Sequence, residues 1–143
     1  MQLVYIAHSC SPYHGSEARI GWRIPLEAAK DNRVIVMTVP ESKNYIEQYM
    51  EENGNLLNIE FNYIDVPLIV KKLCKGPFFS LRLMIWNNEV ITYLREIQKE
   101  QKIDIVHQIN PVEFRSIGDY GTVGDVAYIC GPVGGGRSNP KQP

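Results

Sequence analysis

The chain has 143 residues, long enough for one hydrophobic core and short for two. Hydrophobic residues make up 44% and charged residues 22%, which excludes both a disordered chain and one built around membrane spans, and a formal net charge of −1 gives no electrostatic case for nucleic acid as a partner. Cys10, Cys74 and Cys130 lie far apart with no CxxC spacing, which excludes the common zinc and redox motifs and fits a reducing, cytoplasmic setting.

Residues 3–7 are a short apolar run rich in β-formers, read as a buried strand, and they pass into turn chemistry over 8–15. Strand-forming residues begin directly after Met1 with no basic segment and long apolar run before them, so no signal peptide is expected. Ser16 is the expected N-cap of a helix over about 17–30, with Glu17 in the first turn, where the helix dipole favours an anion. Pro25 removes the bond to the Gly21 carbonyl, which predicts a kink or two short helical pieces.

Residues 33–38 read as the second strand, and Pro40 and Glu41 open a polar helix that Asn53 and Gly54 close. Residues 58–64 alternate, with Ile59, Phe61 and Tyr63 on one side, as a half-exposed edge strand does. Ser80 is the expected cap of a long helix to Gln101, in which Leu83, Trp86, Val90, Leu94 and Ile97 form a core-facing stripe. The fourth strand is placed at 103–107 and the fifth at 126–130. Alternating strands and helices imply right-handed crossovers and a mainly parallel sheet covered on both faces, a Rossmann-like three-layer α/β domain. Ligands of such sheets sit outside the carboxyl ends of the strands, which directs attention to the loops at 8–16, 107–118 and 131–137.

The first of these loops brings Gly15, Ser16 and Glu17 to a helix start, where free backbone N–H groups can hold an anion, although the pattern does not fit the dinucleotide motif GxGxxG. In the second, His107 is expected at the end of a strand, with Arg115 downstream as a partner for a carboxylate or phosphate. The third, with Gly134, Gly135 and Gly136, nearly matches the phosphate loop GxxxxGK[ST], but Arg137 stands where that motif requires lysine. No cluster of Asp or His has metal-ligand spacing, so no metal is expected. Residues 66–88 contain Lys71, Lys72, Lys75 and Arg82, interleaved with apolar residues and with no acid, a mixture suited either to a solvated helix face or to an anionic membrane surface.

Three segments in order, Gly15-Ser-Glu-Ala-Arg-Ile-Gly-Trp22, Asp104-Ile-Val-His-Gln-Ile-Asn-Pro111 with Phe114 and Arg115, and Gly131-Pro-Val-Gly-Gly-Gly136, resemble the amino-terminal domain of group 1 glycosyltransferases, retaining enzymes of the GT-B fold. The resemblance spans nearly all of residues 1–143. It implies the acceptor-side half of an enzyme that moves a sugar from a nucleotide sugar, its co-substrate, to a saccharide or lipid-linked acceptor in cell-surface polysaccharide or glycolipid synthesis, with no further cofactor. A carboxy-terminal donor domain of the same polypeptide would complete the site, and the first domain alone is expected to be inactive. The resemblance further implies that Gly15 and Ser16 lie by the donor's diphosphate and His107 near the transferred sugar. Glu17, Arg115 and Gly134 to Gly136 would line the same cleft. If configuration is retained by front-face attack, no strong protein base is needed and His107 would orient and polarise. The alternative is a freestanding ligand-binding or regulatory module with a flavodoxin-like sheet.

Overall fold

The computed structural model describes residues 1–134, apart from the side chain of Phe114. Five strands, β1 (Gln2–Ala7), β2 (Arg33–Thr38), β3 (Ile59–Tyr63), β4 (Ile105–Asn110) and β5 (Ala127–Cys130), form one parallel sheet in the order β3-β2-β1-β4-β5. The helices are α1 (Ser16–Ala28), α2 (Lys43–Asn53), the short α3 (Leu68–Leu73) and α4 (Phe79–Glu100). The expected Rossmann-like three-layer domain is therefore the one observed. Strand order runs outward from β1 in both directions, which is the dinucleotide-fold arrangement and not the flavodoxin order 2-1-3-4-5. The flavodoxin-like sheet considered above is thus replaced by a Rossmann-type sheet whose order reverses between β1 and β4.

That reversal sends the connections to opposite faces, because parallel crossovers are right-handed. Alternation along the strands serves both faces at once. Val4 and Ile6 of β1, Ile35 and Met37 of β2 and Val106 of β4 pack with Leu83, Trp86, Val90 and Leu94 of α4. Tyr5, Ala7, Val34 and Val36 pack on the other face with Trp22 of α1 and Ile46 of α2. The stripe read from the α4 sequence is therefore its buried face, with Ile97 partly buried against the same cluster. β3 lies at the edge, as its alternation predicts.

Four local expectations are corrected. Ser16 is the first helical residue and not the cap: the N-cap position is Gly15, whose φ of 70° a glycine adopts without the steric cost of a Cβ, and no side chain caps this end. Ser80 likewise lies inside α4, which a 3-10 turn over Gly76–Phe78 leads into. Pro25 does not split α1 into two pieces, and the Gly21 carbonyl that it leaves without a helical donor accepts the Cys10 thiol at 3.5 Å. Burial pushes the pKa of that thiol up to about 12, which keeps it protonated and able to donate.

The fourth correction concerns β4, which runs to Asn110 and not only to His107. Gln108 and Asn110 read as loop residues, yet both are buried in the strand and both are satisfied. Gln108 donates to the Ser116 carbonyl at 3.0 Å and accepts from the Gly118 amide and the Tyr128 hydroxyl, each at 3.0 Å. The pairing of β1 with β4 steps from Ile6 opposite Gln108 to Ala7 opposite Asn110, so Ile109 is an extra residue and packs into the α1-side cluster.

At Gly21, α1 approaches the ends of β1 and β4 closely. A Cβ there would stand 2.3 Å from the Ser9 carbonyl oxygen, 2.7 Å from Asn110 Nδ2 and 3.2 Å from Ala7 Cβ. Gly21→Ala is expected to lower stability by about 1–3 kcal/mol, the usual range for overpacking. Gly121→Ala, whose added Cβ meets only Tyr128 at 3.9 Å, should change it far less. Thermal unfolding of the two variants checks this, and equal melting temperatures would refute the tight contact.

Candidate functional site

A cleft of about 600 Å³ opens at the carboxyl ends of β1 and β2, between the first turn of α1 and the beginning of α4. Gly15, Ser16 and Glu17 form one wall, Phe79 and Arg82 another, and His8, the residue after β1, lines it as well. The first N–H groups of any helix lack partners within it, so the α1 start supplies donors and the positive end of a dipole to this space. Arg82 and Glu41 both line the cleft as an ion pair, Nη2 at 3.2 Å from Oε1, so the guanidinium is present with its charge balanced.

His8 is the least expected member. Its ring meets Trp86 edge-on at 4.8 Å between centroids and Phe79 at 6.0 Å. Neither ring nitrogen has a hydrogen-bond partner among the described residues, although both could take one. Burial lowers the His8 pKa to about 4, with the charge of Arg82 acting in the same direction and Glu41 opposing it. His8 is therefore neutral at ordinary pH, able to accept a hydrogen bond from a hydroxyl group.

The residues singled out in the sequence are brought together only in part. Gly15, Ser16 and Glu17 share the cleft. Glu17 is also structural: its Oε1 accepts the Val112 amide at 2.7 Å, and its own carbonyl accepts Asn110 Nδ2 at 3.3 Å. Gly134 joins the same assembly, donating its amide to the Val112 carbonyl at 2.6 Å, so that Glu17 and Gly134 both hold Val112. Gly135 and Gly136 lie outside the described residues.

His107 does not reach the cleft. The extension of β4 to Asn110 places it within the strand, beside Tyr5 at 5.4 Å between ring centroids, with Nε2 2.7 Å from the Gly131 carbonyl oxygen. A neutral ring protonated at Nε2 would donate that bond and tie β4 to the end of β5. Its expected meeting with Gly15 is not observed. Arg115 lines a separate cleft of about 500 Å³ with Asn87, Ser116 and Asp119. His8 escaped the sequence reading because a lone histidine after a strand has no local signature; its environment is made by Phe79, Arg82 and Trp86, more than 70 positions away.

Neither the models of known protein families nor the curated protein sequences yield a match to this chain.

The His8 environment makes a pH prediction. The folded pKa is lowered below the ordinary value of 6.5, so between pH 6.5 and about 4 the unfolded chain binds a proton that the folded one does not. Stability attributable to this group is fully present above pH 6.5 and falls as pH drops toward 4. Proton NMR should show the His8 ring titrating with a midpoint near 4, and His8→Gln should remove part of the acid loss of stability. A midpoint near 6.5 would contradict the buried, neutral ring.

Proposed function

We propose that the chain is the acceptor-binding, amino-terminal half of a glycosyltransferase of the GT-B fold, acting at the cytoplasmic side of a membrane in the synthesis of a cell-surface polysaccharide or glycolipid. The observation that carries this reading is the convergence of Gly15, Ser16 and Glu17 with neutral His8 and with Arg82 in one cleft at the carboxyl edge of the sheet. Two of the three segments on which the family resemblance rests meet beside it, through Asn110 and Glu17.

The chemistry required fits these parts. Sugar transfer from a nucleotide donor builds negative charge on a leaving diphosphate, which is stabilised by donors fixed in advance and by cations. The first turn of α1 supplies such donors, and Arg82 is a cation beside them whose charge Glu41 balances. His8 would accept a hydrogen bond from an acceptor hydroxyl and hold it in place, the part the resemblance had suggested for His107. With front-face attack no stronger base is needed. A donor domain closing over the cleft would bring the nucleotide sugar and exclude water.

The 143-residue chain by itself is expected to release no nucleoside diphosphate from any nucleotide sugar. Joined to a carboxy-terminal donor domain, it should turn over, and His8→Phe, which keeps a ring but removes the hydrogen-bond acceptor, should then lower kcat/KM by up to about tenfold, the usual worth of one positioned hydrogen bond. Turnover by the isolated chain would overturn the half-enzyme reading. Tight binding of a flavin or nucleotide in calorimetry would favour the freestanding module instead.

A further inference from the structure

We propose that α3 and the beginning of α4 form a docking surface for an anionic lipid bilayer. Fourteen large apolar side chains stand exposed among the described residues, and seven of them, Leu68, Ile69, Leu73, Phe78, Phe79, Leu81 and Met84, fall within 17 consecutive positions. Isolated exposed apolar residues need no explanation, but such a concentration marks an interaction surface. α3 is the extreme case: it buries none of its residues fully, and Leu68, Ile69 and Leu73 are 65–73% exposed. Val66 before it and Cys74 after it are buried, so the segment is anchored at both ends while its apolar side chains face outward.

Charge decides the occupant. Lys71 is paired with Asp65 at 2.6 Å and Arg82 with Glu41 at 3.2 Å, whereas Lys72 and Lys75 enter no ion pair among the described residues. Lys72 lies between Ile69 and Leu73 on the outward side of α3. Lysine is depleted in the cores of protein interfaces, and a second copy would set like charges against each other. A bilayer with anionic headgroups suits both features: lysine stems lie along apolar surface with the ammonium groups among phosphates, while leucine, isoleucine and phenylalanine enter the acyl boundary. Among the described residues no helix is long and apolar enough to cross a membrane.

The placement also bears on the cleft. Phe79 and Arg82 belong to this basic, apolar segment and to the cleft wall. Docking would therefore hold the cleft next to the headgroups, where an acceptor carried on a lipid is presented. This last step rests on the proposed function; the docking itself does not, and it can be tested without any transferase assay.

The test is co-sedimentation of the 143-residue chain with vesicles of phosphatidylcholine and phosphatidylglycerol, and with phosphatidylcholine alone, at physiological salt. Binding is expected to the mixed vesicles and not to the neutral ones. Replacing Lys72 and Lys75 together by glutamine should weaken it roughly thirtyfold, given the usual contribution of a lysine near an anionic surface. The triple variant Leu68→Ser, Ile69→Ser, Leu73→Ser should also lose binding while its melting temperature stays unchanged, since these side chains are exposed. If the triple variant fails to fold, the lysine pair decides. The proposal is overturned by no binding to the mixed vesicles, by equal binding to neutral ones, or by binding that the lysine pair leaves unaltered. A concentration-dependent dimer abolished by the triple variant would overturn it too, assigning the surface to a second copy.

Discussion

The amide of Asn110 holds the functional edge of the molecule together. It is fully buried where strand order reverses, between β1 and β4. Its Oδ1 accepts the Ser9 amide at 2.9 Å, and its Nδ2 donates to the Ser9 carbonyl at 2.7 Å and to the Glu17 carbonyl at 3.3 Å. One side chain thus satisfies the backbone leaving β1 and fixes the start of α1 over the end of β4. A buried polar group without such partners costs about 1–3 kcal/mol, so this network is favourable only when complete. The missing Cβ of Gly21 allows the approach, and Glu17 extends it to Val112.

The character of the cleft follows from this clamp. With α1 seated, its first turn cannot swing away from the loop after β1, and His8 is left between Trp86 and Phe79 on one side and open space on the other. A cationic imidazole would be desolvated there and would stand near Arg82, so the neutral form prevails. The site therefore combines a helix dipole suited to an anion, and a guanidinium balanced by Glu41, with an uncharged acceptor suited to a hydroxyl group. His107 stands apart from this cleft for a geometric reason: three more residues of β4 lie between it and the edge, and its Nε2 bonds the Gly131 carbonyl.

Most of the architecture was legible in the sequence because it rests on local signals. The apolar runs of β1 and β2 and the stripe of α4 have the periods of the elements they form, and their alternation with helices fixes the fold class. What could not be read depends on contacts distant in the chain. Gln108 and Asn110 look like loop residues until Ser116, Gly118 and Tyr128 on one side, and Ser9 and Glu17 on the other, are seen to satisfy them. Pro25 looks like a helix breaker until the Cys10 thiol takes the place of its missing N–H. α3 was invisible because six residues with outward-facing leucine and isoleucine give no amphipathic period. Ser16 misled because a serine beside a glycine resembles a cap, while Gly15 itself stands at the cap position and no side chain caps this end.

The most direct test of the clamp is amide hydrogen exchange in Asn110→Ala. The Ser9 amide loses its acceptor outright, whereas the Val112 amide is held by Glu17 and is affected only if the start of α1 depends on Asn110. The account predicts faster exchange at both amides, with the amides of β2 keeping their protection. A Val112 amide as slow as in the native chain would show that α1 is seated by other contacts, and the proposed origin of the cleft would be wrong.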